Sequence, residues 1–189
     1  MRRRTAWPLA LALWALPASA LADDAVIDAG TDVTYLHVST SPSGAKTMPV
    51  TGLTARWLFV DGGGEIAFGG KLTAFKPVWG GDTDNMGFDL SFTAQFSGRW
   101  KGEKAHVMPC GGFGLGLRQL FLDVRNRPAG AYAISGVGLD LYLGVHGYFG
   151  RRGGLYWRLA GVLESHLLFP APGWTAGAGA ELTIGIYLD

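Results

Sequence analysis

Residues 86–97 read MGFDLSFTAQFS. Met86, Phe88, Leu90, Phe92, Ala94 and Phe96 take every second position, and Gly87, Asp89, Ser91, Thr93, Gln95 and Ser97 take the others. Successive side chains of a β-strand point to opposite faces, so this stretch predicts a strand with one apolar and one polar face. At about 3.3 Å per residue it is long enough to cross a bilayer at a tilt.

The same alternation recurs on both sides. Phe113, Leu115 and Leu117 oppose Gly112, Gly114, Gly116 and Arg118. Val137, Leu139, Leu141, Leu143 and Val145 oppose Gly138, Asp140, Tyr142, Gly144 and His146. Leu155, Trp157, Leu159, Gly161, Leu163, Ser165, Leu167 and Phe169 oppose Arg158, Ala160, Val162, Glu164 and His166. Trp174, Ala176, Ala178, Ala180, Leu182, Ile184, Ile186 and Leu188 oppose Glu181, Thr183, Tyr187 and several glycines. Toward the N-terminus, Ile66–Thr73 and Leu53–Val60 alternate less cleanly, and a first strand is expected near Val33 to Ser39. The total is eight strands in an up-and-down ladder. Connections are expected at Ser39–Thr51, Asp61–Gly64, Pro77–Asn85, Gly98–Ala105, Asp123–Gly130, Gly150–Gly154 and Pro170–Gly173. The loops near Gly44, Asp82 and Asn126 then lie on one side of the membrane, expected to be the outside.

Composition agrees with this pattern. Charged residues are 16% of the chain, below the roughly 25% of an ordinary soluble domain, and 30 of 189 residues are Gly. Low charge and 48% hydrophobic content exclude a disordered chain. A formal net charge of +1 with no basic run beyond Arg2-Arg3-Arg4 argues against nucleic-acid binding. The single Cys, Cys110, excludes an intrachain disulfide and reads as a small buried residue. Arg2–Arg4, the apolar run Ala6–Leu16 and the A-x-A sites at Ala18–Ala20 and Ala20–Ala22 read as a secretory signal peptide over residues 1–22. The eleven-residue run is short for a spanning helix, which needs about 20. Removing residues 1–22 leaves 13 basic and 15 acidic residues in a barrel expected over 23–189, a net charge of −2.

A soluble lipocalin-like barrel also alternates, so the polar face must decide. Here that face carries mostly Gly, Ala, Ser and Thr with isolated charges, which suits the narrow interior of eight strands. The apolar face is almost free of charge, as lipid contact requires, since a buried Lys or Arg there costs about 2–4 kcal/mol. Trp79, Trp100, Tyr148, Tyr156, Trp157 and Trp174 lie near strand ends and are expected to form interfacial aromatic girdles.

In size, strand number, leader and alternation the chain resembles the small outer-membrane barrels of the OmpA/OmpX type. The resemblance is one of pattern, not of a residue motif. It departs at the last strand: such barrels usually end on an aromatic residue, whereas this one reads Ile186-Tyr187-Leu188-Asp189. The resemblance implies an all-β eight-stranded transmembrane barrel in the outer membrane, a monomer surrounded by lipid and inserted by the β-barrel assembly machinery.

Inside such a barrel the expected ionic network is Arg56, Lys71, Arg118 and Arg158 against Asp89, Asp140, Glu164 and Glu181, with His146 and His166 beside it. Four against four is neutral, and buried charges must pair. A hairpin closed near Gly80 and Gly81 sets Lys71 diagonal to Asp89, so that pair is expected. Asp140 beside Glu164 calls for a cation, with Arg118 or Arg158 the candidates. The network is expected to plug the lumen, giving a structural or surface-interaction protein; a narrow gated channel is the alternative. A lipid A-modifying enzyme is a further alternative, as some eight-stranded barrels are deacylases or acyltransferases. His37 and Ser39 share a face near one rim, but the sequence offers them no partner acid. The four His lack ligand spacing, and the glycines at 112–114 precede no helix. No catalytic residue, metal or cofactor is assigned.

Overall fold

The computed structural model describes residues 24–39, 45–61, 66–78, 86–98, 107–122, 132–149, 154–169 and 173–188. The signal-peptide reading of 1–22, the loops near Gly44, Asp82 and Asn126, and the girdle candidates Trp79 and Trp100 lie outside the described residues. Eight strands follow in order: β1 Asp24–Val38, β2 Lys46–Val60, β3 Ile66–Pro77, β4 Met86–Ser97, β5 Val107–Leu122, β6 Tyr132–Phe149, β7 Leu155–Phe169 and β8 Gly173–Leu188. Each pairs antiparallel with the next, and β1 pairs with β8 to close the barrel. Closure satisfies the backbone donors and acceptors of every strand, the condition for crossing hydrocarbon.

Two expected boundaries move. β1 begins at Asp24 rather than near Val33, and β2 begins at Lys46, inside the segment expected to be a loop through Thr51. The stagger of the barrel follows from its registers. Asp28 faces Arg56, then Lys71, Ser91, Gly116, Gly138, His166 and Thr175, and the circuit re-enters β1 at Val38, ten residues farther on. A stagger of that size tilts the strands by roughly 40°.

The outer wall is apolar: Leu143, Leu53 and Leu167 are 75%, 73% and 66% exposed. Ile184, Ile186, Leu182, Leu159 and Leu163 continue that surface. Two hydroxyls on it are satisfied by backbone carbonyls of the neighbouring strand. Thr31 Oγ1 donates to the Gly52 carbonyl at 2.9 Å and Thr51 Oγ1 to the Asp32 carbonyl at 3.0 Å. Glycine makes room for rings on both faces of the wall. The Trp57 indole lies over Gly70 and the Phe75 ring over Gly87, where a Cβ would overlap the rings.

Inside, both mouths are plugged by apolar residues. At the mouth where β1 starts and β8 ends, Val26, Leu58, Val60, Ala67, Tyr156 and Tyr187 pack together, with Tyr148 against them. At the far mouth Leu36, Val38, Val50, Phe75, Leu120, Ile134 and Leu168 do the same, with Met48 beside them. The charged residues lie between these two plugs.

Candidate functional site: the charged layer of the lumen

All eight charged residues of the expected ionic network, and His146 and His166 beside it, point inward, and Arg56, Arg118 and Arg158 are each at most 2% exposed. Their side chains form three centres. Arg56 donates Nε to Asp28 Oδ1 at 3.0 Å and Nη2 to Asp28 Oδ2, a two-pronged pair across the β1–β2 ladder. Its Nη1 reaches Gln95 Oε1 at 3.2 Å. In the second centre Glu181 bridges two cations: Arg158 Nη2 on Oε1, and Lys71 Nζ at 2.7 Å from Oε2. The Arg158 guanidinium also lies 4.9 Å from the centre of the Tyr142 ring, which adds a cation–π contact. In the third, Arg118 holds Asp89 with Nε at 2.8 Å and Nη2 at 2.6 Å, Glu164 at 2.8 Å and Thr175 Oγ1 at 3.1 Å, with the Phe75 ring 5.1 Å away.

The expected Lys71–Asp89 pair does not form. Asp89 faces Arg118 directly across β4 and β5, and a planar guanidinium in register outcompetes a diagonal ammonium. Lys71 faces the small Ser91 and extends across the lumen to Glu181 on β8. Asp140 does sit opposite Glu164, and Arg118 is the cation on Glu164. Asp140 Oδ1 lies 3.8 Å from His166 Nε2.

Nor is the interior neutral. β1 contributes inward Asp28 and Asp32 to the layer, making six carboxylates against four cations among the described residues. Asp24, at the near mouth, accepts a hydrogen bond from Tyr187 Oη. The spacing Asp24, Asp28, Asp32 is even throughout and puts all three on one face of a strand. That signal is present in the sequence, but a strand beginning near Val33 leaves Asp24, Asp28 and Asp32 out.

Two girdle candidates turn inward. Tyr156, 1% exposed, and Tyr148 belong to the near plug, their rings 5.5 Å apart and packed around His146. Both occupy the same parity as the inward His146 and Arg158, so a girdle position is closed to them. Trp157 and Trp174 face outward, Trp157 against Phe149 and Trp174 against His37 at 4.9 Å. His37 Nδ1 is 2.8 Å from Thr47 Oγ1, while Ser39 Oγ accepts the Trp174 backbone N–H at 2.7 Å, so the two hydrogen-bond to different partners and not to each other. Cys110 is buried.

The layer leaves little space. A void of about 10 Å³ lined by Asp32, Lys71, Asp89, Arg118, Glu164 and Glu181 has room for about one water.

No family model and no curated protein sequence matches this chain. Solved structures do. Neisserial surface protein A aligns with a TM-score of 0.54 at 13% identity, over 84% of this chain and 96% of that one. Ail, the attachment invasion locus protein of Yersinia pestis, aligns with a TM-score of 0.56 at 12% identity, over 89% of this chain and all of that one (100%). The chain thus has the fold of the small eight-stranded outer-membrane barrels. Its exposed apolar wall and buried charges are those of an integral barrel surrounded by lipid.

Proposed function

We propose that this protein is a sealed, monomeric outer-membrane barrel whose work is done at its surface, as a structural or interaction module, and not through its lumen. The observation that carries this reading is the double seal. Apolar plugs at both mouths enclose three arginine–carboxylate centres, and the space among them holds about one water. An ion entering would have to break centres that cost several kcal/mol each to break. Neisserial surface protein A is a surface protein by name and Ail an attachment and invasion protein; a surface role is the corresponding reading for this fold. In the same proposal residues 1–22 are a cleaved leader, 23–189 the mature barrel, and the β-barrel assembly machinery its route into the membrane.

Conductance tests the seal. Purified barrel in planar bilayers is expected to give no unitary steps above a lipid-only bilayer; regular steps of fixed size would overturn the reading. Membrane fractionation with unheated and heated gels checks placement: the folded barrel is expected in the outer membrane with a heat-dependent mobility shift. Mass determination of the exported protein places the cleavage.

A further inference from the structure

A buried imidazole at the near end of the lumen has both nitrogens unpaired. His146 is 3% exposed, and neither Nδ1 nor Nε2 meets a hydrogen-bond partner among the described residues. Its ring packs edge-on against Tyr148 and Tyr156. A phenylalanine would pack there as well, without the cost of about 1–3 kcal/mol for each unpaired buried polar group. On the β5 side, the register brings two sulfurs to this imidazole. Met108 faces His146 directly across β5 and β6, and Cys110 is the next inward residue of β5. Both are buried. Cys110 faces Gly144, which has no side chain, so its cross-strand neighbours are the diagonal His146 and Tyr142.

A thioether, a thiol and an imidazole together are a donor set for a soft metal ion. Among the described residues no three His, Cys, Asp or Glu side chains gather as a metal site, so the set that exists here is the sulfur-rich one. We infer that Met108, Cys110 and His146 form a three-donor site for a soft monovalent cation of the copper(I) or silver(I) class. Charge favours a monovalent ion. On binding, the S–H bond of Cys110 breaks, its proton leaves to solvent, and a sulfur–metal bond replaces it. One positive charge is exchanged for another and the lumen's charge is unchanged. A divalent ion would add a charge beside Arg158, which faces His146 across β6 and β7. Met108 is the second residue of β5, so the ion reaches the site from the near mouth without crossing the charged layer. The site goes beyond the sealed-barrel reading and does not depend on it.

The test uses the whole barrel folded in detergent and dialysed against silver(I) buffered by excess free methionine, which strips ions held by a single thioether. Retained metal is counted by elemental mass spectrometry, and folding of each variant is checked by heat-dependent gel mobility. The unaltered barrel is expected to keep one silver ion, and to keep no zinc(II) under the same dialysis. Cys110→Ala is expected to lose the ion. Met108→Leu conserves volume and His146→Phe conserves the ring, and each is expected to lose most of it. These two variants carry the test if Cys110→Ala does not fold. No retained silver, equal retention of zinc, or unchanged retention in any folded variant would overturn the site. The conductance measurement that tests the seal is untouched by these outcomes.

Discussion

Arg56 and Arg118 are both buried in one narrow lumen, and both face an aspartate directly across a strand pair. They are completed differently. Arg56 has one carboxylate and fills its remaining donors with the neutral Gln95 and, at 3.5 Å, Tyr156. Arg118 has two carboxylates, Asp89 and Glu164, plus Thr175 and the face of Phe75. The first is a self-contained pair tied into the near plug by Tyr156. The second is a hub joining β4, β5, β7 and β8. What a cation is worth in such a lumen depends on how many carboxylates depend on it.

Deleting the hub therefore has the largest expected effect. Arg118→Leu leaves Asp89 and Glu164 buried without their cation and should destabilise the barrel by about 5 kcal/mol, the upper range for breaking a buried ion pair. Urea unfolding in lipid vesicles measures it; a loss no greater than that of Arg56→Leu would erase the distinction between the two centres. Arg56→Leu strands one carboxylate and should cost about 3 kcal/mol, most of which returns in the double variant Arg56→Leu/Asp28→Leu. If the double variant is no more stable than the single, Asp28 is not what the loss measures. Next comes Lys71. Because Glu181 keeps Arg158, Lys71→Met should cost about 1–2 kcal/mol, and Lys71→Ala and Asp89→Ala should add to within about 0.5 kcal/mol. Strong coupling between those two would restore the diagonal pair that the registers separate. Thr175→Val removes one hydroxyl from the Arg118 hub and should cost about 1 kcal/mol. The smallest effect belongs outside the lumen: Thr31→Val loses one hydroxyl-to-carbonyl bond on the lipid face and should stay within about 0.5 kcal/mol.

The strands that could be read from sequence are those whose inward residues are polar or small over most of their length. On β4, Asp89, Ser91, Thr93 and Gln95 contrast with Phe88, Leu90 and Phe92, and period two is plain. β1 hides the same period. Its inward Val26, Leu36 and Val38 are plug residues and its outward Thr31 and His37 are polar, so the two faces exchange character toward the ends. The start of β2 is obscured for the same reason, with inward Met48 and Val50 opposite outward Thr47 and Thr51. Parity turns the charges inward, and the same parity turns Tyr148 and Tyr156 inward. Partner choice was not legible. Lys71 meets Glu181 from five strands away in sequence order, and only the closed, staggered ring brings them together.

The stagger has a consequence for the seam between β1 and β8. Among the described residues, β2 to β8 alone supply the charged layer with four cations and four carboxylates, an even account. β1 is the strand that unbalances it, arriving with Asp28 and Asp32 and no base of its own. Because that strand also makes the closing ladder, the barrel's shape and its internal polarity are completed by the same fifteen residues. An edit to β1 is therefore read twice, once as geometry and once as voltage.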